Sequence, residues 1–137
     1  MARNNKSNSS SLTLLRVVIG VIFAYHGYIK LFPAGGFSGT VTFFQSVGIP
    51  LAKYAALLVG GVEFFGGLLL IFGVLMRLAS FFLIINMLVA LFKVHIKNGL
   101  LLKYGGSEVA LVLLAGLFVL FGQGPGKFTV KSLFKKR

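Results

Sequence analysis

The chain has 137 residues, of which 57% are hydrophobic and only 12% charged, and its mean hydropathy is +0.95. Ordinary soluble domains are about a quarter charged, and one of this length could not hide so much apolar surface. The net charge is +12, from 14 Lys and Arg against 2 acids, and cysteine is absent. Disulfides, thiolate metal sites, CxxC redox chemistry and a Cys nucleophile are thereby excluded. Any redox role has to pass through a bound cofactor, a quinone or a partner protein. The bases flank apolar runs, which fits lipid headgroups and topology signals rather than nucleic acid.

Met1 to Ser11 is polar and rich in Ser and Asn, a composition expected to form a disordered cytoplasmic N-terminus over residues 1–11. The first apolar run covers about 12–32, and no small-x-small cleavage site closes it, so it reads as a retained membrane helix. Between Pro33 and Pro50, Phe37, Val41 and Phe44 recur at helical spacing. This predicts a short interfacial helix in the first outer loop. A second span is predicted over about 51–75, with Arg77 marking a tight turn, and a third over about 78–95. Lys97 to Gly106 reads as a loop from its Asn98-Gly99 and Gly105-Gly106 turn signals. The fourth and shortest run covers about 107–121, stopped by Gly122 to Gly126 with Pro125, and residues 127–137 form a basic cytoplasmic tail. The expected fold is an all-α membrane protein, a four-transmembrane-helix bundle occupying residues 12–126. Four spans put both termini on one side, and the greater number of bases on that side predicts a cytoplasmic location for both.

Ionisable residues inside membrane spans are functional candidates by default. Glu63 lies near the middle of the second span, with Gly60 and Gly67 on its stripe, so it should face the bundle interior. At about 1.5 Å per residue, Glu63 lies roughly 16 Å from the cytoplasmic end of its helix and His26 roughly 21 Å. Glu108 comes out at roughly 22 Å, with His95 and Lys30 near 27 Å. These five groups share the outer half of the bundle and can form an outward-opening polar pocket, with His26, Glu63, His95 and Glu108 as its ligand-binding or proton-relay candidates. The favoured role for Glu63 is in ligand or proton handling; the alternative is a neutral acid hydrogen-bonded to a neighbouring helix, and for Glu108 a cap at the start of the fourth helix. Lys30, Lys93, Lys97 and Lys103 read as snorkelling or headgroup contacts, and Arg16, only about 6 Å deep, as too shallow to partner Glu63. Asn86 lies nine residues before His95, on the opposite face of a regular helix, and His95 is the one expected to face inward. The spacings of His and acidic residues match no metal motif, and no phosphate-binding or dinucleotide fingerprint is present.

Taken together, these elements resemble the DoxX family of bacterial four-helix membrane proteins, over about Leu14 to Gly126. The likeness rests on Leu15-Arg16 with His26-Gly27 and Lys30, on Gly48-Ile49-Pro50, and on Leu58-Val59-Gly60 through Glu63 to Gly66-Gly67-Leu68-Leu69-Leu70. Gly73, Arg77, Val94-His95, Asn98-Gly99, Glu108 and Gly124-Pro125-Gly126 complete it. The resemblance implies a compact bundle in the bacterial cytoplasmic membrane. It also implies an association with redox functions, namely a thiosulfate–quinone oxidoreductase subunit in archaeal relatives and membrane complexes linked to oxidative and thiol stress. The leading expectation is a membrane subunit whose polar pocket binds a quinone or similar redox-active molecule, next to a redox-enzyme partner and compatible with a homo-oligomer. A non-catalytic assembly subunit and a small-solute or proton transporter are the alternatives, although no inverted repeat supports transport.

Overall fold

The computed structural model describes the backbone of residues 2–95, 107–126 and 129–135, and side chains over 10–94, 107–126 and 129–134. Its helices are α1 (Ala2–Leu31), α2 (Gly36–Ser46), α3 (Ala52–Phe72), α4 (Met76–Ala90), α5 (Glu108–Gln123) and α6 (Val130–Lys135). A π-helical turn over Leu91–His95 continues α4. Three stretches are long and apolar enough to cross a membrane, Ser10–Leu31, Ala52–Phe72 and Met76–Val94. The fourth apolar helix, Glu108–Gln123, has 16 residues, about 24 Å of rise, somewhat short of a hydrocarbon core of about 30 Å.

Several boundaries differ from expectation. The first helix runs back to Ala2, across the polar segment expected to be disordered. The second span ends at Phe72 and the third begins at Met76, because the turn between them is built on Gly73. Gly73 has φ +71°, and the paired bonds Val74 N–H to Leu69 O (3.0 Å) and Gly73 N–H to Leu70 O (3.2 Å) close α3 as a Schellman motif. The basic tail contains a short helix, α6. Its start is fixed reciprocally, with Ser132 N–H donating to Thr129 Oγ1 and Thr129 N–H to Ser132 Oγ, both at 3.0 Å. The expected loop at Lys97 to Gly106 lies outside the described residues.

Glycine decides how the helices approach. A Cβ on Gly20 would meet Gly67 O at 2.8 Å, and one on Gly27 would collide with the backbone of Phe64. Gly67 in turn sits against the backbone of Ala24. The pairings Gly20 with Gly67 and Gly27 with Phe64 and Gly60 run in opposite directions along the chain, so α1 and α3 are antiparallel and in backbone contact. Small residues provide such proximity in membranes, where apolar side chains gain little by leaving lipid. Packing then continues from α3 to α4, from α4 to α5 and from α5 back to α1, closing a four-helix ring. Ile19, Phe23, Leu70, Leu83, Leu117 and Leu120 fill its centre. The predicted short helix is present as α2, which packs outside the ring through Phe44, Val41 and Phe37 against Ala52 and Ala56 of α3. Leu14, Val18, Leu58, Phe65, Phe82 and Phe118 point outward, as lipid-facing side chains do in a bilayer.

Candidate functional site

Glu63 occupies the interior stripe of α3 with Ala56, Gly60, Gly67 and Leu70, and is 6% exposed. Both of its carboxylate oxygens are engaged. Oε2 is ion-paired with Lys30 Nζ of α1, and Oε1 accepts a 3.0 Å hydrogen bond from Asn86 Nδ2 of α4. Three helices are thus tied at one buried carboxylate.

Lys30 was expected in the same outer half as Glu63 but not as its ion-pair partner, and Asn86 was not expected to face the interior. Lys30, read as a snorkelling residue, reaches inward because it lies in the last turn of α1. Helical side chains lean toward their own N-terminus, which at that position points the four-carbon stem down into the bundle. Glu63, on the antiparallel α3, leans up to meet it. Asn86 faces the interior because it continues the buried stripe Met76, Ala79, Leu83 of α4. The three- and four-residue steps of that stripe were legible as a signal. The comparison with His95 assumed a regular helix, and α4 passes into a π turn at Leu91.

The four candidates from the sequence do not form one cluster among the described side chains. His26 is exposed on α1; its Nδ1 lies 2.7 Å from Ile22 O, so Nδ1 donates, and in the neutral ring Nε2 is an acceptor. Its ring meets Tyr25 edge-on at 6.3 Å. Glu108 is half-buried and opens α5, where a carboxylate complements the helix dipole. His95 ends the π turn, and its side chain lies outside the described residues. A height can still be assigned to two of them. Ile19 of α1 packs on Gly116 of the antiparallel α5. Seven residues outward from that contact, about 10 Å, lie His26 on one helix and Val109, beside Glu108, on the other. His26, Glu108 and the Lys30–Glu63 pair therefore occupy the same half of the bundle.

At the opposite end, Arg16 is 2% exposed and donates to Pro125 O at 2.9 Å. Its Nη1 also lies against Gly73, where a Cβ would displace it. Among the described residues no group of three or more His, Cys, Asp or Glu is placed to hold a metal.

A ring of apolar helices with a largely interior charged cluster and an apolar exterior defines a polytopic membrane protein. The DoxX family model matches residues 11–96, and the chain belongs to that family. It is 33% identical over 110 residues to CatD of Bacillus subtilis (strain 168), whose name provisionally makes it an oxidoreductase, covering 80% of this chain and 76% of CatD. It is 30% identical to an uncharacterised membrane protein, Rv3486, of Mycobacterium tuberculosis, over 93% of this chain and 83% of that one. An uncharacterised protein of Haemophilus influenzae is 35% identical over 82% of this chain and 84% of its own length. No solved structure matches.

Proposed function

We propose that the protein is a membrane subunit of a redox system and that its polar half binds a quinone or a similar small redox-active molecule taken from the bilayer. The observation that carries this reading is the Lys30–Glu63–Asn86 cluster, an ion pair and an amide held inside a membrane bundle. Intramembrane charge is costly to keep, and where it persists it commonly marks a ligand or proton path. An ammonium has three hydrogens and Glu63 needs one of them, so Lys30 can also donate to a quinone carbonyl. His26 Nε2 is an acceptor suited to a quinol hydroxyl. Glu63 is the proton acceptor or hydrogen-bond partner that Lys30 holds in place, and His95 and Glu108 are the remaining candidates for orienting ligand or relaying protons. Quinone reduction consumes two electrons and two protons. In a cysteine-free chain, the electrons are assigned to a partner oxidoreductase; the name of CatD supports a redox role but names no partner. The surplus of bases on the side of Arg16, Arg77 and the chain ends assigns both termini to the bacterial cytoplasm.

Calorimetric titration of the detergent-solubilised protein with a short-chain naphthoquinone tests the reading. Saturable binding is expected, weakened at least tenfold by Glu63→Gln and by Lys30→Met, with Lys93→Met as the control. Absence of binding, or variants that match the wild type, overturns it.

The complete engagement of Glu63 within the protein favours a second reading, a non-catalytic assembly subunit whose cluster locks the bundle while its surface docks an enzyme. Crosslinking in native membranes separates the two: this reading requires a reproducible enzyme partner whose recovery survives loss of quinone binding.

A further inference from the structure

Helix glycines are unfavourable relative to alanine, and most of those in α3 have a visible reason. Gly60 faces Leu31, Gly66 meets Leu83 at 3.2 Å, and Gly67 touches the α1 backbone. Gly61 has none, since a Cβ there would find nothing within 4 Å. It lies instead in a groove of about 500 Å³ on the outside of the bundle, between the flank of α3 and the start of α4, lined by residues that include Tyr54, Leu58, Gly61, Phe65, Leu69 and Phe82. None of His26, Glu63 or Glu108 lines it, so this site is separate from the polar cluster. The volume is within the range of small-molecule sites. From Tyr54 to Leu69 the groove follows α3 for fifteen residues, about 22 Å, an elongated form suited to a hydrocarbon chain.

The charges at its ends select the occupant. Lys53, exposed, adjoins Tyr54 at one end, and Arg77, exposed, adjoins Leu78 at the other. A second copy related by a two-fold axis along the bilayer normal would bring Lys53 toward Lys53 and Arg77 toward Arg77, with no acid on this face to relieve them. An anionic lipid meets the opposite sign. Tyr54 leans toward the N-terminal end of α3, which places its phenol at that mouth beside Lys53.

We propose that this groove is a binding site for an anionic phospholipid, with the acyl chain laid over Gly61 and the phosphate held by Lys53 and Tyr54 at the mouth. Native mass spectrometry of the full chain in detergent, with phosphatidylglycerol or phosphatidylcholine added, tests the proposal. The expected result is one retained phosphatidylglycerol per chain, with at least fivefold preference over phosphatidylcholine. Gly61→Leu fills open space and should cut retention at least tenfold, whereas Gly122→Leu, which also enters open space but on α5, should not. Lys53→Ala combined with Tyr54→Phe should abolish the headgroup preference while the chain still binds. Equal retention of both lipids by the wild type, or unchanged retention in Gly61→Leu, overturns the proposal. So does a shift of Gly61→Leu from dimer to monomer without change in lipid, which would assign the groove to a second copy.

Discussion

Each half of the bundle contains an inward-reaching cation, buried at Arg16 and half-buried at Lys30, and the two are held in different ways. Arg16 is held at the ends of helices: its guanidinium donates to Pro125 O just beyond α5 and packs on Gly73 at the close of α3. Its acceptor is a main-chain carbonyl of the segment that follows α5, placed by the backbone and not by a side-chain rotamer. Lys30 is held by a side chain, Glu63, which is itself held by another, Asn86. Side chains change rotamer far more readily than helix ends shift. The Arg16 end is therefore built as a clasp, and the Lys30 end is the one whose contacts can exchange for a ligand's.

Substitutions in the seam that positions both cations should have the largest effect. Gly27→Val drives a branched side chain into the backbone of Phe64 and Gly60, and a loss of at least about 3 kcal/mol is expected, read as aggregation on heating in detergent. Lys30→Met leaves the Glu63 carboxylate buried without its counter-ion and should cost about 3 kcal/mol. The double variant Lys30→Met with Glu63→Met should recover much of that loss, and a thermal-melt double-mutant cycle measures the coupling. An additive cycle would mean that the pair is not coupled in the folded protein. Asn86→Leu removes one amide donor and should cost about 1–2 kcal/mol, with a greater fractional effect on quinone affinity than on melting temperature. Arg16→Lys, which keeps the charge but loses the guanidinium fork, should lower stability by about 1–2 kcal/mol and leave quinone affinity unchanged. The smallest effect is expected beside the clasp. Leu75 is exposed with φ 49°, and Leu75→Gly should raise stability by roughly 0.5–1 kcal/mol by relieving that conformation.

Much of this architecture was legible in the chain. Long apolar runs and the glycine stripe around Glu63 announce membrane helices and an inward carboxylate, because span length and small-residue spacing are one-dimensional quantities. The partners of Glu63 were not legible in the same way. Lys30 was discounted by its place near a helix end, and Asn86 by a register carried through a segment that turns π-helical. His26 shows the limit from the other side: its depth was estimable, but its exposure depends on which faces of α1 the neighbouring helices cover.

Composition and periodicity by themselves determined that this protein is an all-helical membrane protein and that Glu63 points inward. Only the tertiary structure decided that Lys30 and Asn86 hold that carboxylate, that Arg16 clasps the other end and that Gly61 borders a groove. The physical reason is that hydropathy accumulates along a helix, whereas an ion pair depends on which helix is adjacent, how close glycine lets it come and which way each side chain leans.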